Sequence, residues 1–356
     1  SQAGTVAMEI YHCKNCGSVM EFDPESQALK CPSCGSRETI DHFEERIQEH
    51  PMTLDARRKI RAEEKTSHTM ECQGCGAKIE VDANSTAAEC PYCGSKYVLA
   101  EKQEDSLVPD GLLPFQSDRD MADQRFPAWV KGQFWAPGKL KHLYQKGLLQ
   151  GIYLPYWTFD ARTDTPYTAR GGRVHTQTYR GPNGKMRTRT YTTWHPVSGQ
   201  IRHTFDDLLV PASGKLDLGL LGGMDSFRTE ALVSYSPEYL SGYNAECFSV
   251  SLEVAANQAR QEMTEQIREM AEREVLSRYD RIDGLCISPS FSGETFKYIL
   301  VPVYSTAYQY RDRVYHVLIN GQSGLIAGEY PKSIFKIALC VLLVIAVIML
   351  VFYFLP

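Results

Sequence analysis

Two sets of large apolar and aromatic residues alternate along the segment KYILVPVYSTAYQYRDRVYHVLINGQSGLIAGEYP, residues 297–331. A period of two predicts β-strands with two distinct faces. We expect one face to carry Ile299, Val301, Val303 and Ala307, and the other to carry Leu300, Tyr304, Tyr308 and Tyr310. Turn residues at 311–312 and 320–321 interrupt the alternation, so the segment is predicted to form an antiparallel meander.

Four earlier segments have the same strand-like character. They are GIYLPYWTFDAR (151–162), YTARGGRVHTQTYR (167–180), MRTRTYTTWHPV (186–197) and IRHTFDDLLV (201–210). The sequence GPNGK (181–185) separates the second from the third and is rich in turn formers. It is therefore predicted to be the loop of a β-hairpin.

Helical periodicity is clearest over residues 251–279. Apolar residues recur there at spacings of three and four, at Leu252, Ala256, Ala259, Met263, Ile267 and Met270. We interpret this segment as a helix that covers a sheet; a coiled-coil partner face is the weaker alternative, because about four heptads are marginal for it. A second helix is predicted to begin at Asp118, although Pro127 argues against a straight one. Residues 115–332 are thus expected to form one mixed, β-rich domain.

The last part of the chain is strongly apolar. From Ile337 to Leu355 the sequence carries no charge over 19 residues, which is about the length of a membrane-spanning helix. A buried core helix is the alternative interpretation. Lys332 and Lys336 precede the segment and favour a cytoplasmic N-terminal side. The sequence therefore predicts a transmembrane helix at 334–355 and a tail-anchored, single-pass protein of the inner (cytoplasmic) membrane.

Two short units near the start of the chain repeat one cysteine pattern. CKNCGSVMEFDPESQALKCPSCGS (13–36) returns as CQGCGAKIEVDANSTAAECPYCGS (72–95), shifted by 59 residues. The repeat predicts two units, at 8–40 and 68–100. A charged helical spacer at 41–67 separates them, and a linker at 101–114 follows.

Each unit has the ligand pattern of a zinc ribbon. A Cys-x-x-Cys pair places two thiolates on one metal, and two such pairs complete a tetrahedral site. One structural Zn²⁺ is predicted at Cys13, Cys16, Cys31 and Cys34, and a second at Cys72, Cys75, Cys90 and Cys93. An iron–sulfur cluster is the alternative for the same ligands. Disulfides conflict with the expected cytoplasmic placement. A site with four thiolates has no open coordination position, so it is expected to be structural.

Charge is distributed unevenly. The net charge is −5, and residues 1–105 hold 12 basic against 19 acidic side chains, which disfavours nucleic-acid binding by the ribbons. One region, 161–203, is basic: it contains Arg162, Arg170, Arg173, Arg180, Lys185, Arg187, Arg189 and Arg202, against Asp164 alone. We interpret it as a candidate surface for anionic lipid, an acidic protein or nucleic acid. A solvated hairpin face is an equally good interpretation.

No established catalytic motif is present. The sequence contains no phosphate-binding GxxxxGK[ST], no HExxH, no GxSxG and no GxGxxG. A non-enzymatic role is therefore expected. An enzyme whose site is assembled from dispersed residues of the β-rich domain is a third hypothesis.

The chain resembles a bacterial family of double-zinc-ribbon, tail-anchored membrane proteins. The resemblance rests on the paired CxxCG…CPxCGS units and on GIYLPYWTFD and VLINGQSGLIAGEYPKS, and it covers nearly the whole chain. Members are often described as transcription-factor-IIB-type zinc ribbon proteins or as primosomal or helicase-like proteins. Some are associated with SPFH-domain (flotillin-like) and phage-shock-protein-A-like proteins, which implies a role in envelope stress or membrane integrity.

These observations together predict an α+β protein. It would comprise two Cys₄ zinc ribbons, a mixed β-rich domain with covering helices and one C-terminal transmembrane helix. The expected function is a membrane-anchored adaptor or scaffold that recruits cytoplasmic partner proteins. A membrane-tethered nucleic-acid-binding protein that uses the basic 161–203 region is the alternative.

Overall fold

The strands and helices are known from a computed structural model. It describes residues 7–40, 47–60, 68–71, 78–81, 85–89, 96–100, 107–137, 149–182, 185–213, 220–221, 227–310 and 313–354. In the N-terminal third the strands are β1 (Ala7–Glu9), β2 (Glu21–Asp23), β3 (Ala28–Lys30), β4 (Arg37–Thr39), β5 (His50–Pro51), β6 (His68–Glu71), β7 (Lys78–Val81), β8 (Ser85–Glu89) and β9 (Lys96–Ala100).

The remaining strands are longer. They are β10 (Gly111–Leu112), β11 (Gln150–Arg180), β12 (Met186–Pro211), β13 (Val233–Ser234), β14 (Asn244–Glu246), β15 (Arg281–Ile287), β16 (Ser290–Tyr310), β17 (Arg313–Asn320) and β18 (Ile326–Gly328). The helices are α1 (Leu54–Lys59), α2 (Arg119–Gly132), α3 (Leu252–Leu276) and α4 (Ile334–Phe354), with short 3₁₀ turns at Thr229–Ala231 and Pro237–Leu240.

One strand, β11, organises the main sheet. It pairs with β14 and then β12 along one edge, and with β16 and then β15 along the other. Its pairing with β12 runs from Tyr156 opposite Pro211 to Arg180 opposite Met186. The predicted hairpin is therefore confirmed, and four predicted strand segments are in fact two continuous strands.

The two faces of this sheet bury different cores. Tyr153, Trp157 and Leu300 lie in the larger core, whereas Leu154 and Val301 lie in the smaller core on the opposite face. Residues one position apart point to opposite faces of a strand, so the alternation of apolar residues places both sets. The prediction that Ile299, Val301 and Val303 share one face is confirmed.

Helix α3 covers the larger core. It begins after Ser251, whose side chain accepts a hydrogen bond from the backbone N–H of Val254, as an N-cap does. Five of its six predicted apolar residues are buried, and only Met270 is half-buried. The covering role predicted from its periodicity is confirmed. Helix α2 also begins where predicted, with Asp118 as its N-cap, and it contains Pro127.

The first cysteine unit packs into the larger core. Met20, Phe22 and Leu29 from its hairpin are buried there, and the Phe22 ring lies 5.0 Å from that of Tyr239 and 6.4 Å from that of Tyr243. The side-chain amide of Gln27 also donates to the carbonyl oxygen of Phe115 at 2.8 Å. These contacts join the unit to the β-rich domain.

The internal repeat is visible in the strands. A shift of 59 residues places β2, β3 and β4 on β7, β8 and β9. In the second unit, β8 and β9 belong to the main sheet, because β8 pairs with β14 and β9 pairs with β1. The first unit instead keeps a separate three-stranded sheet. One repeated sequence therefore makes two kinds of contact with the same domain.

The expected fold class needs correction. The protein is mostly β-sheet rather than α+β. Strands from the cysteine units and from the β-rich domain join in one 13-stranded sheet. Several of these strands are only two to five residues long. Strands this short carry too little pattern in the sequence to indicate which other strand they pair with.

The predicted transmembrane helix is also corrected. In the described part of the chain, no helix combines the length and the apolar character that crossing a membrane requires. Lys336 lies in the first turn of α4, and its ammonium donates to the carbonyl oxygens of Phe134 and Ala136 at 2.7 and 2.9 Å. The structure therefore does not support the inner-membrane placement.

We expect Phe22→Ala to destabilise the whole β-rich domain. Removing a buried phenylalanine ring costs about 3–5 kcal/mol of unfolding free energy, and this ring contacts Tyr239 in the main core. Urea unfolding followed by tryptophan fluorescence should show a lower midpoint in one transition. Leu54→Ala, at an exposed position of α1, is the matched control and should leave the midpoint unchanged. A loss confined to a separate early transition would contradict the shared core.

Candidate metal centre and basic arm

Two backbone turns of the same form position the four cysteines of the first unit. In each turn, the N–H of a glycine donates to a cysteine carbonyl: Gly17 to Cys13 at 2.8 Å, and Gly35 to Cys31 at 2.9 Å. Both glycines have positive φ angles, +76° and +74°, a conformation that side chains disfavour. The glycine after each Cys-x-x-Cys pair is therefore needed for the turn that directs both thiols inward.

The four sulfur atoms form a compact group. The Sγ atoms of Cys13 and Cys34 are 3.6 Å apart, and those of Cys16 and Cys31 are 3.5 Å apart. All four lie within 4.8 Å of one another. A tetrahedral zinc site with Zn–S bonds of about 2.3 Å requires sulfur–sulfur distances of about 3.8 Å. This group could hold one metal ion with little rearrangement.

The thiols differ in acidity. A hydrogen bond from the Ser36 hydroxyl, helped by the Ser36 backbone N–H, lowers the pKa of Cys34 to about 6. The pKa of Cys16 is also lowered, chiefly by the side chain of Ser18. At Cys31 the backbone N–H of Cys34 acts to lower the pKa, but burial and the neighbouring thiols outweigh it and raise that pKa to about 11. Metal ligation removes the proton from each thiol.

The second quartet, Cys72, Cys75, Cys90 and Cys93, lies outside the described residues. The described residues contain one cysteine cluster suited to a metal ion, that of the first unit. The second predicted zinc site stays a prediction.

Five of the eight predicted basic residues lie on one projecting element. We call residues 173–193 the arm. It is the part of the β11–β12 hairpin beyond Gly172, where the pairing of β11 with β15 ends. It holds Arg173, Arg180, Lys185, Arg187 and Arg189 and no acidic residue. The arm extends about 26 Å beyond the three-stranded part of the sheet, at about 3.3 Å per residue.

The two faces of the arm differ in chemistry. Register and alternation place Arg173, His175, Gln177, Tyr179, Arg187, Arg189, Tyr191 and Thr193 on one face. The opposite face carries Thr176, Thr178, Thr188, Thr190 and Thr192 with Val174, Arg180 and Met186. The rings of His175 and Tyr191 stack at 5.1 Å on the first face. The arm therefore presents an arginine and aromatic face and a threonine face.

The other three predicted residues lie at the base of the hairpin. Arg162 is exposed on β11. Arg170 pairs with Asp283, and its guanidinium lies 5.7 Å from the Trp194 ring. Arg202 is 3.3 Å from Asp164. The structure therefore divides the predicted basic surface into an arm without acidic side chains and a base where two of its arginines are paired.

A second polar cluster was not predicted from the sequence. Asp160, Asp206 and Asp207 bring their carboxylates within 4.8 Å of one another, where a β-bulge interrupts the pairing of β11 with β12 and β16. The backbone N–H of Asp207 donates to Asp160 at 2.6 Å, and Thr295 donates to Asp160 at 2.8 Å. The repeated triplet Thr-Phe-Asp, at 158–160 and 204–206, is the signal that could have indicated it.

This acidic cluster contains its own cation. The buried Lys297 ammonium lies 2.6 Å from the Asp207 carboxylate and 3.4 Å from that of Glu49. Burial acts to lower the pKa of Lys297, but Asp207 and the other carboxylates outweigh it, so the net shift is upward. Burial raises the pKa of Asp160. The ammonium already pairs with the Asp207 carboxylate, so we interpret the cluster as an ion-pair network.

Comparisons with known proteins identify one distant relative. The chain is similar to an uncharacterized protein of Bacillus subtilis (strain 168), YdjG, with 27% identity over 331 residues that cover 92% of each chain. No family model matches the chain, and no solved structure matches it. The resemblance to the double-zinc-ribbon family therefore stays an expectation.

We expect Cys31→Ser to remove one equivalent of zinc per chain. The loss should lower the thermal unfolding midpoint by roughly 10 °C, because metal binding to a closed Cys₄ site is coupled to folding. Zinc content is measured by mass spectrometry on protein purified under reducing conditions. The exposed Cys286 provides the control: Cys286→Ser should keep both the zinc and the midpoint. Retention of full zinc content by Cys31→Ser would contradict the assigned ligand set.

We expect Lys297→Met to lower the unfolding free energy by about 2–3 kcal/mol at pH 8, because it leaves buried carboxylates without a cation. Without the ammonium, the pKa of Asp160, which burial already raises, rises further in the folded state. The loss should therefore be smaller at pH 5, where protonation of the folded state relieves the repulsion. Urea unfolding at both pH values tests this. Lys14→Met, at an exposed ion pair, should change neither value, and a pH-independent loss at Lys297 would contradict the ion-pair interpretation.

Proposed function

We propose that the protein is a non-enzymatic zinc-ribbon adaptor whose arm binds an acidic partner protein. The observation that supports this most directly is the arm itself, an exposed two-stranded ribbon with five basic residues and no acidic one. Clustered arginine and aromatic side chains are typical of residues that dominate protein interfaces. In this proposal the metal sites have a structural role and the arm makes the contact.

The position of the first metal site supports a structural role. Cys13 and Cys31 are buried, and their unit is joined to the main core through Phe22 and Met20. Four thiolates leave no coordination position for a substrate. We propose that this ion is Zn²⁺ and that the second quartet binds another Zn²⁺. Both would hold their units against the sheet.

The partner proteins to be tested first come from the family resemblance. SPFH-domain (flotillin-like) and phage-shock-protein-A-like proteins are the ones that the resemblance implies. An acidic patch on such a protein would complement Arg173, Arg187 and Arg189, which share one face of the arm. Charge complementarity of this kind mainly accelerates association and excludes wrong partners.

Nucleic acid is the second candidate partner. A two-stranded β-ribbon fits the major groove of B-form DNA, which is about 12 Å wide, and arginine is the residue that most often contacts guanine there. The acidic N-terminal third argues against this candidate, because it would repel phosphates near the body of the protein. Binding to nucleic acid would be recognised by an affinity that falls steeply as the salt concentration rises.

Variants on the two faces of the arm test the adaptor proposal. Binding of the purified full chain to each purified candidate partner is measured by calorimetry. We expect Arg173→Ala/Arg187→Ala/Arg189→Ala to weaken binding by about tenfold or more. The matched control, Thr176→Ala/Thr178→Ala/Thr188→Ala, removes three side chains from the opposite face and should stay within about twofold of wild type.

Duplex DNA is the second probe in the same experiment. If DNA is the partner, the logarithm of the binding constant falls steeply with the logarithm of the salt concentration, and the triple arginine variant reduces this slope by about three. That result would identify nucleic acid, rather than an acidic protein, as the partner of the arm. Equal effects of the arginine and threonine variants, or binding of none of the probes, would overturn the role of the arm.

A further inference from the structure

The outer edge of β12 has no neighbouring strand in the part of the chain that the structure describes. β12 is 26 residues long, and it pairs with β11 alone. An edge strand exposes a row of backbone N–H and C=O groups that can pair with another chain. Pro196 lies within it, and proline in a sheet is typical of an edge strand.

A groove runs along the lower part of this edge. All nine residues from 203 to 211 line it. Successive side chains of a strand point to opposite faces of a sheet. A cavity on one face would therefore contact only every second residue. A cavity that contacts nine residues in a row must run along the edge of the strand. Its far wall is formed by Gln258, Glu262 and Gln266 of α3 and by residues 227–230.

The dimensions of the groove suit one extended chain. Its volume is about 830 Å³. Nine residues of strand span about 30 Å, which is long enough for an extended peptide of similar length to lie beside them. A peptide that pairs with β12 here would extend the sheet by one strand, as in recognition by β-strand addition.

The groove is acidic. Asp206, Asp207, Glu230 and Glu262 line it, against Arg228 as the one arginine and no lysine among its described lining residues. Asp207 is already paired with Lys297, but Asp206, Glu230 and Glu262 are exposed. A basic extended segment is therefore the complementary occupant.

The chain itself contains such a segment. Residues 186–191, Met-Arg-Thr-Arg-Thr-Tyr, form the end of the arm on β12, already extended and exposed. This segment cannot reach the groove of its own chain, because about 60 Å of the same strand separates Arg189 from Asp207 at about 3.3 Å per residue. It can reach the groove of a second copy.

Two-fold symmetry makes both contacts at once. If two β12 strands pair antiparallel about Ser198, Arg189 lies at the bulge of the partner subunit that carries Asp206 and Asp207, because Arg189 is nine positions from Ser198 and these residues are eight and nine. The reverse contact follows from the symmetry. Pro196 removes one hydrogen-bond donor near the axis in each copy and leaves the outer parts of the strand able to pair.

We propose that two copies of this chain associate through the β12 edge, with the basic arm end of each copy in the acidic groove of the other. The occupant of the groove is thus a second copy rather than a foreign peptide. With the two-fold axis perpendicular to the sheet, both arginine faces lie on the same side. The dimer engages Arg187 and Arg189 of each copy and leaves Arg173 outside the groove, and it does not depend on the proposed function.

Sedimentation equilibrium of the full, metal-loaded chain tests the proposal. Wild type is expected to form a dimer at micromolar concentration. Arg187→Glu/Arg189→Glu is expected to weaken dimerisation at least about tenfold, because like charges then face each other in the groove. The matched control Arg173→Glu/Arg180→Glu makes the same change in charge on β11, away from the edge, and should dimerise like wild type.

A charge-exchange mixture identifies the two surfaces as partners. Asp206→Arg/Glu262→Arg alone should also weaken dimerisation, and mixing it with Arg187→Glu/Arg189→Glu should restore a mixed dimer. Circular dichroism and zinc content confirm that each variant is folded. A monomeric wild type, a dimer unaffected by the arm variant, or a mixture that does not associate would each overturn the proposal. The variant Arg173→Ala distinguishes dimerisation from the adaptor role. This variant should weaken partner binding and leave the dimer intact.

Discussion

The structure depends on the continuous antiparallel pairing of β11 with β12. This register extends from the centre of the domain, where Trp157 is buried opposite Val210, to the exposed end of the arm, where Arg180 lies opposite Met186. The inner half forms the middle of the sheet, and both cores pack on it. The outer half projects because the pairing of β11 with β15 ends at Gly172. One hairpin therefore supplies the rigid base, the arm and the open edge.

The first cysteine unit is joined to this framework through its hairpin. Its four thiols converge because one glycine with a positive φ angle follows each cysteine pair and reverses the chain there. Its short hairpin could not sustain a core of its own, and Phe22 and Met20 are instead buried in the core of the sheet. A change in this unit would thus be transmitted to the main domain.

Much of the candidate site could be predicted, and what could not has a physical cause. Cys-x-x-Cys spacing specifies the ligands of the first unit, because metal chemistry restricts which residues can serve. The sequence also indicated the basic region, but not which of its arginines form ion pairs. Arg170 and Arg202 pair with Asp283 and Asp164 only in the folded chain. The cluster around Lys297 and the acidic groove combine strands and helices far apart in sequence, for which local pattern carries almost no information.

The sequence by itself determined the two faces of the strands, the covering helix α3, the β-hairpin and the first metal ligand set. Each of these follows from local periodicity or from fixed ligand spacing. The tertiary structure alone decided that strands from the cysteine units and the β-rich domain share one sheet, and that Lys336 ties the first turn of α4 to the protein. It also decided that β12 is an edge. Strand pairing depends on backbone hydrogen bonds between distant segments, which side-chain patterns do not encode.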